Sequence, residues 1–156
     1  MKRILILIAD GARARFFRPE SVPRRGSPDA VRLREIAGLV NPAGELTSLE
    51  SLGEDRAPRG GGLGYDDDRA GHFREVERRF VREIARATAD FARRGEAEEV
   101  LAAVSPHLLG ALRQTLAAAV PREVEVKEFA ADISWHTPQR IQDFFSRHGA
   151  LAAAGS

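Results

Sequence analysis

The chain contains no cysteine, which excludes disulfides, thiolate nucleophiles and cysteine-based zinc sites. Tryptophan and tyrosine occur once each. Trp135 reads as a packing residue around the entry to the last helix. No stretch reaches the roughly 20 apolar residues that a membrane helix needs. Met1-Lys2-Arg3 ahead of Ile4–Ala9 has the look of an export signal, but the apolar run is too short and Asp10 ends it. The expectation is a cytoplasmic chain with no membrane partner. A large excess of one charge is also missing, with 24 basic against 23 acidic residues. The distribution is less even. Residues 1–34 carry nine basic and three acidic side chains, a net +6, whereas residues 35–94 carry −2 and residues 95–156 carry −3. A basic first third, including Arg13 and Arg15, permits an anionic partner.

The 156 residues are 43% hydrophobic, enough for one domain with a real core. Ile4–Ala9 is a continuous apolar run, the pattern of a strand buried on both faces. Asp10-Gly11 predicts a two-residue hairpin turn with positive φ. Ala12–Phe17 alternates small or apolar residues with arginine, as a half-exposed strand does. Pro19–Pro28 reads as a polar loop. Val31–Ile36 reads as a third strand, closed by Asn41-Pro42. Residues 41–70 are rich in Gly, Pro, Ser and Asp and predict no long element. Residues 71–94 carry Phe73, Val76, Phe80, Val81, Ile84, Thr88 and Phe91 at helical spacing, with Gly95 as the stop. Then follow a strand at Glu98–Val104, a helix capped by Ser105-Pro106 with Leu108, Leu109, Leu112 and Leu116 inward, an exposed-edge strand at Glu123–Phe129, and a helix capped by Thr137-Pro138. The order predicts an α/β fold: a single mixed sheet, built from a hairpin and a third strand and then α-β-α-β-α, with helices packed on it. One domain is expected over 1–149, with a frayed tail at 150–156.

Function is sought first in the loop Arg56–Asp68, where Arg59, Gly60, Gly61 and Gly62 could bring backbone close to a phosphate or a reaction centre. It is not a Walker A loop, because no Gly-Lys-Ser/Thr follows. Behind it Arg74, Arg78, Arg82 and Arg86 recur every four residues and form one ridge of the helix, which is either a phosphate-tracking face or a solvated face. Compensation is expected from the neighbouring row Glu75–Arg79–Glu83 and from Glu83 with Arg86. Asp66-Asp67-Asp68 offers carboxylates to a hard cation, with Asp10 and Asp132 as partners in a metal-assisted phosphodiesterase, or else complements the helix dipole. His72, His107, His136 and His148 show no ligand spacing and read as surface or capping residues. No serine has a defensible His/Asp setting.

Ala9-Asp10-Gly11-Ala12-Arg13-Ala14-Arg15-Phe16-Phe17, Leu33-Arg34-Glu35-Ile36, Leu39-Val40-Asn41-Pro42 and Asp55-Arg56…Arg59-Gly60-Gly61-Gly62 occur in that order. They are followed by Phe80-Val81-Arg82-Glu83-Ile84, the run Val104–Arg113, and Ala131-Asp132-Ile133-Ser134. In this set and spacing the chain resembles the bacterial family of proteins required for attachment to host cells. The resemblance implies kinship with the middle domain of archaeal and eukaryotic class-1 release factors, which has a mixed sheet, a Gly-Gly-Gln loop and a basic helix. In this chain Leu63, not glutamine, follows Gly61-Gly62. The implied function is a ribosome- or RNA-associated binding module without peptidyl-tRNA hydrolysis. It would contact ribosomal RNA or tRNA through Arg13, Arg15, Arg59, Gly60, Gly61, Gly62, Arg74, Arg78 and Arg82, with no metal and no cofactor. The alternatives are the phosphodiesterase and a protein-interaction module, the latter a homodimer through Glu123–Phe129.

Overall fold

A computed structural model describes residues 2–42 and 63–151, and within them the side chains of all but residues 63–70, 72 and 73. Five strands form one mixed sheet: β1 (Ile4–Ala9), β2 (Arg13–Val22), β3 (Ala30–Val40), β4 (Glu99–Val104) and β5 (Glu125–Ala130), in the order β3-β2-β1-β4-β5. β1 pairs antiparallel with β2 and parallel with β4, and β5 is parallel to β4. Three helices are described: α1 (Leu63–Arg93), α2 (Pro106–Ala119) and α3 (Pro138–Arg147). The expected α/β class with a single mixed sheet is observed. Among the described residues no helix is long and apolar enough to cross a membrane.

Helices cover both faces of the sheet, so β1 must be apolar on both. Leu5, Leu7 and Ala9 join Phe16, Phe80, Val81, Ile84, Leu108, Leu112 and Leu116 beneath α1 and α2. Ile6 and Ile8 join Phe17, Leu101, Ile133, Ile141 and Phe145 beneath α3. Ala150 and Leu151 pack against this second cluster, while residues 152–156 lie outside the described set. α1 ends as its sequence predicts. Gly95 takes φ +76°, and the Gly95 and Glu96 amides donate to Ala92 and Phe91 carbonyls, a Schellman cap. Thr137 Oγ1 accepts from the Arg140 amide at 3.3 Å and caps α3.

Several local expectations are corrected. The Asp10-Gly11 turn has no positive φ. Its central residues are Gly11 and Ala12, closed by the Asp10 amide donating to the Arg13 carbonyl at 2.9 Å. The Asp10 carboxylate supplies the second lock, accepting from the Ala12 and Arg13 amides at 2.7 and 2.9 Å. Pro19–Val22 is strand, not loop. β2 runs past the end of its pairing with β1 at Phe17, so beyond that point one edge is open and Pro19 forfeits no bond to β1. α1 begins at Leu63, some two turns before the residue at which apolar periodicity starts. Ser105 sits at the N-cap of α2, but its hydroxyl caps no amide and lies 3.3 Å from His107 Nδ1.

One buried charge was not foreseen. Glu99 opens β4 with 4% exposure, and its two carboxylate oxygens meet Lys2 at 3.1 Å and Lys127 at 3.2 Å. Burial pushes its pKa up, but the two ammonium groups outweigh this and hold it below the usual carboxylate value. Bonding to Glu99 correspondingly raises Lys2. A carboxyl depressed in the fold stabilises it above its unfolded pKa of about 4.3 and loses that contribution as pH falls towards the folded value. Lys2, raised, contributes below about 10.4 and loses its share above that pH. Thermal melts from pH 7 down to pH ~2 are expected to fall more steeply for the wild type than for Glu99→Gln. Parallel curves would show that the cluster does not couple to folding.

Candidate functional site

The carboxyl ends of β1 and β4 and the end of β3 meet at one end of the sheet. Asn41 ties them together. Its amide donates to Ala12 O at 2.8 Å, and its Nδ2 donates to Gly11 O at 3.0 Å. The Ser105 amide donates to Ala9 O at 3.0 Å, which fixes the start of α2 to the same turn. His107 rests against Gly11, where an added Cβ would stand 3.4 Å from Nε2. α1 runs away from this end, since its capped terminus leads into Glu98, whose amide donates to Arg3 O at the start of β1. Its amino-terminal half therefore belongs to the end where Asn41 and the hairpin lie.

The expected site residues fall into three groups. Arg59, Gly60, Gly61 and Gly62 lie outside the described residues, as do the side chains of Asp66, Asp67 and Asp68. Arg74, Arg78, Arg82 and Arg86 are all exposed on α1, and among the described side chains of the helix the first buried one is Phe80. The expected compensation by Glu75 and Glu83 is not formed, and among the described residues the four arginines have no ion pair. Four guanidinium groups along one ridge, without an acidic partner among the described residues, repel one another.

Arg13 and Arg15, two residues apart on β2, share the α3 face and have different surroundings. Arg15 is spent within the chain. Its Nε and Nη2 donate to Glu35 at 2.9 and 2.6 Å, and its Nη1 donates to the carbonyls of Ser134 and His136 at 3.0 and 2.8 Å. This straps the turn before α3 to the sheet. Arg13 stacks on Trp135, with the guanidinium carbon 3.7 Å from the ring centroid. Trp135 is thus not a packing residue. It is 73% exposed, held out from the strapped turn with a cation on one side.

The carboxylate reading gains no geometry. Asp10 is occupied by its own turn, Asp132 is exposed, and among the described residues no group of three or more His, Asp or Glu side chains could hold a metal. At the opposite end of the sheet, where β1 and β2 part, lies a cleft of about 760 Å³ walled by Ile4, Pro19, Val31 and Leu151. Two of its rim cations are neutralised, Arg3 by Glu98 at 2.7 Å and Arg18 by Glu96 at 3.6 Å, so it does not compete with the ridge for an anion. β5 is one edge of the sheet, and Glu125 and Lys127 reach into the Lys2–Glu99 cluster.

Among curated proteins none matches the chain. A family model described as "Protein required for attachment to host cells" matches residues 5–144, from the second residue of β1 into α3. By that match over most of its length, the chain belongs to the family of proteins required for attachment to host cells.

Proposed function

We propose that the chain is a non-catalytic RNA-binding module, that its partner is ribosomal RNA or tRNA, and that any part it takes in attachment to host cells is indirect. The observation that carries this reading is the row Arg74, Arg78, Arg82 and Arg86, exposed and without an acidic partner among the described residues. Arginines at successive turns suit a run of phosphates, because each guanidinium offers a bidentate fork. Trp135 adds a second element. Arg13 occupies one side of its ring, and the remainder is open to a base, the combination used on single-stranded nucleic acid. In this reading Arg15 positions Trp135 through the Ser134 and His136 carbonyls and does not itself reach RNA. Arg59 and Gly60–Gly62 lie between β3 and α1 in the sequence, outside the described residues, and are proposed as further contacts. This reading follows the resemblance to the release-factor middle domain, with Leu63 after the glycines and no peptidyl-tRNA hydrolysis.

The test is affinity for single-stranded RNA and for ribosomes in wild type, Trp135→Ala and the triple variant Arg74/Arg78/Arg82→Ala. Removing a stacked base is expected to weaken RNA binding about tenfold in Trp135→Ala, with little change in its salt dependence. An unchanged affinity would remove Trp135 from the surface. Wild-type protein that binds neither RNA nor ribosomes at low salt would end the proposal as a whole.

A further inference from the structure

The outward side of α3 carries a second basic group, separate from the ridge because α3 and α1 cover opposite faces of the sheet. His136, Arg140, Phe144, Arg147 and His148 line a notch of about 250 Å³. The spacing brings them together, since steps of three and four residues keep one side of a helix in line. Among the described residues no acidic side chain lines the notch. Asp143 stands three residues from Arg140 and four from Arg147, at the distances where helix ion pairs form, yet neither arginine pairs with it or with any other described residue. Two guanidinium groups therefore converge beside two imidazoles with no acidic partner among the described residues.

The notch is preformed. The Arg15 bond to its carbonyl at 2.8 Å holds the backbone of His136 in place. His148 Nδ1 donates to Phe144 O at 2.7 Å, which leaves Nε2 as the ring's remaining polar atom. The Phe144 ring stacks on His148 at 4.3 Å, and Phe129 meets both rings edge-on at 6.0 and 5.5 Å, so Phe144 cannot fold into the cavity. At neutral pH a carboxylate has two oxygens and a single charge. A phosphate monoester has three terminal oxygens and close to two charges, which matches two arginine forks better. The volume lies just under the range of about 300–1,000 Å³ for drug-sized ligands.

We infer that this notch is a binding site for a terminal phosphate group, borne either by a small phosphorylated molecule or by the 5′ end of an RNA. The first probe is inorganic phosphate, titrated into the full chain while the His136 and His148 ring resonances are followed by NMR. Saturable shifts are expected in the wild type, with affinity at least tenfold weaker in Arg140→Ala/Arg147→Ala and unchanged in Arg74/Arg78/Arg82→Ala. Both arginines are exposed, and melting curves of the double variant establish that it is folded. A 5′-phosphorylated oligoribonucleotide, compared with its unphosphorylated form and with ribose 5-phosphate, separates the two sources. Measured in the Arg74/Arg78/Arg82→Ala background, tighter binding of the phosphorylated oligoribonucleotide than of both its unphosphorylated form and ribose 5-phosphate assigns the RNA end, and binding equal to that of ribose 5-phosphate assigns the small molecule. Non-saturating shifts, acetate binding as tightly as phosphate, or full phosphate affinity in the folded double variant would overturn the site. Because the ridge variant keeps this site intact, failure here leaves the RNA reading standing, and the reverse also holds.

Discussion

Phe16→Ala is expected to destabilise the protein by about 3–5 kcal/mol, the range for truncating a fully buried phenylalanine. Phe16 is 0% exposed in the middle of β2, and its ring lies 5.5 Å from that of Phe91 near the end of α1. The neighbours that would have to collapse into the space are fixed from three sides. Leu7, its β1 partner, is locked by two strand ladders, Ala14 is too small, and α1 is anchored by Phe80, Val81 and Ile84. Little relaxation is available, so most of the cavity would remain. In a chain of this size the melting temperature should fall by roughly 6–20 °C. Urea unfolding measures the loss directly. A change below about 1 kcal/mol would contradict the placement of Phe16 between the sheet and α1.

The same residue pair bears on function. Phe16 and Phe91 hold the last turns of α1 to the sheet, and α1 carries the arginine ridge towards the hairpin end. A loosened α1 would present the ridge poorly even with every arginine intact. Loss of RNA affinity in a core variant is therefore not evidence of contact, and the ridge must be tested by substitutions that leave Phe80, Val81 and Ile84 alone.

Much of the fold is legible in the sequence because burial on both faces leaves a plain mark. Ile4–Ala9 is apolar without alternation, and it is the central strand. Phe80, Val81, Ile84 and Thr88 recur at helical spacing, and all four are buried. Gly95 and Thr137 act as the caps their residue types predict. The misreadings have physical reasons. Asp10-Gly11 has the composition of a turn with positive φ, but the Asp10 carboxylate offers another way to close it. Pro19 argues against strand only where a neighbour needs its amide, and the pairing of β2 with β1 ends before it, at Phe17. The first turns of α1 contain Gly64 and three aspartates, weak helix formers with no apolar stripe to reveal the element.

The site was legible in part. The ridge follows from a repeat of four, whereas the absence of acidic partners for it among the described residues depends on how Glu75 and Glu83 lie, which spacing does not decide. Trp135 reads as core by residue type. Its exposure depends on Arg13, which is distant in sequence, and on Arg15 holding the turn beneath it. Glu99 looks like an ordinary charged residue at a strand start, because Lys2 and Lys127 reach it from the two flanking segments. The notch on α3 did leave a signal. His136, Arg140, Phe144 and Arg147 fall four, four and three residues apart, a pattern missed when histidines are read for metal spacing alone.

The ridge carries the largest functional effect. Three phosphate contacts on single-stranded RNA contribute a slope of about −2 in log affinity against log salt, so their removal should weaken binding by roughly a hundredfold at 0.1 M relative to a 1 M reference. Loss of three exposed side chains should leave stability nearly unchanged, within about 0.5 kcal/mol per site. The measurement to make is RNA affinity from 50 to 400 mM salt for wild type and Arg74/Arg78/Arg82→Ala, plotted on logarithmic axes. The account predicts a linear fall for the wild type and a line shallower by about 2 for the variant, the two converging at high salt. Parallel lines, or a wild-type affinity indifferent to salt, would contradict the claim that α1 binds RNA through its arginines.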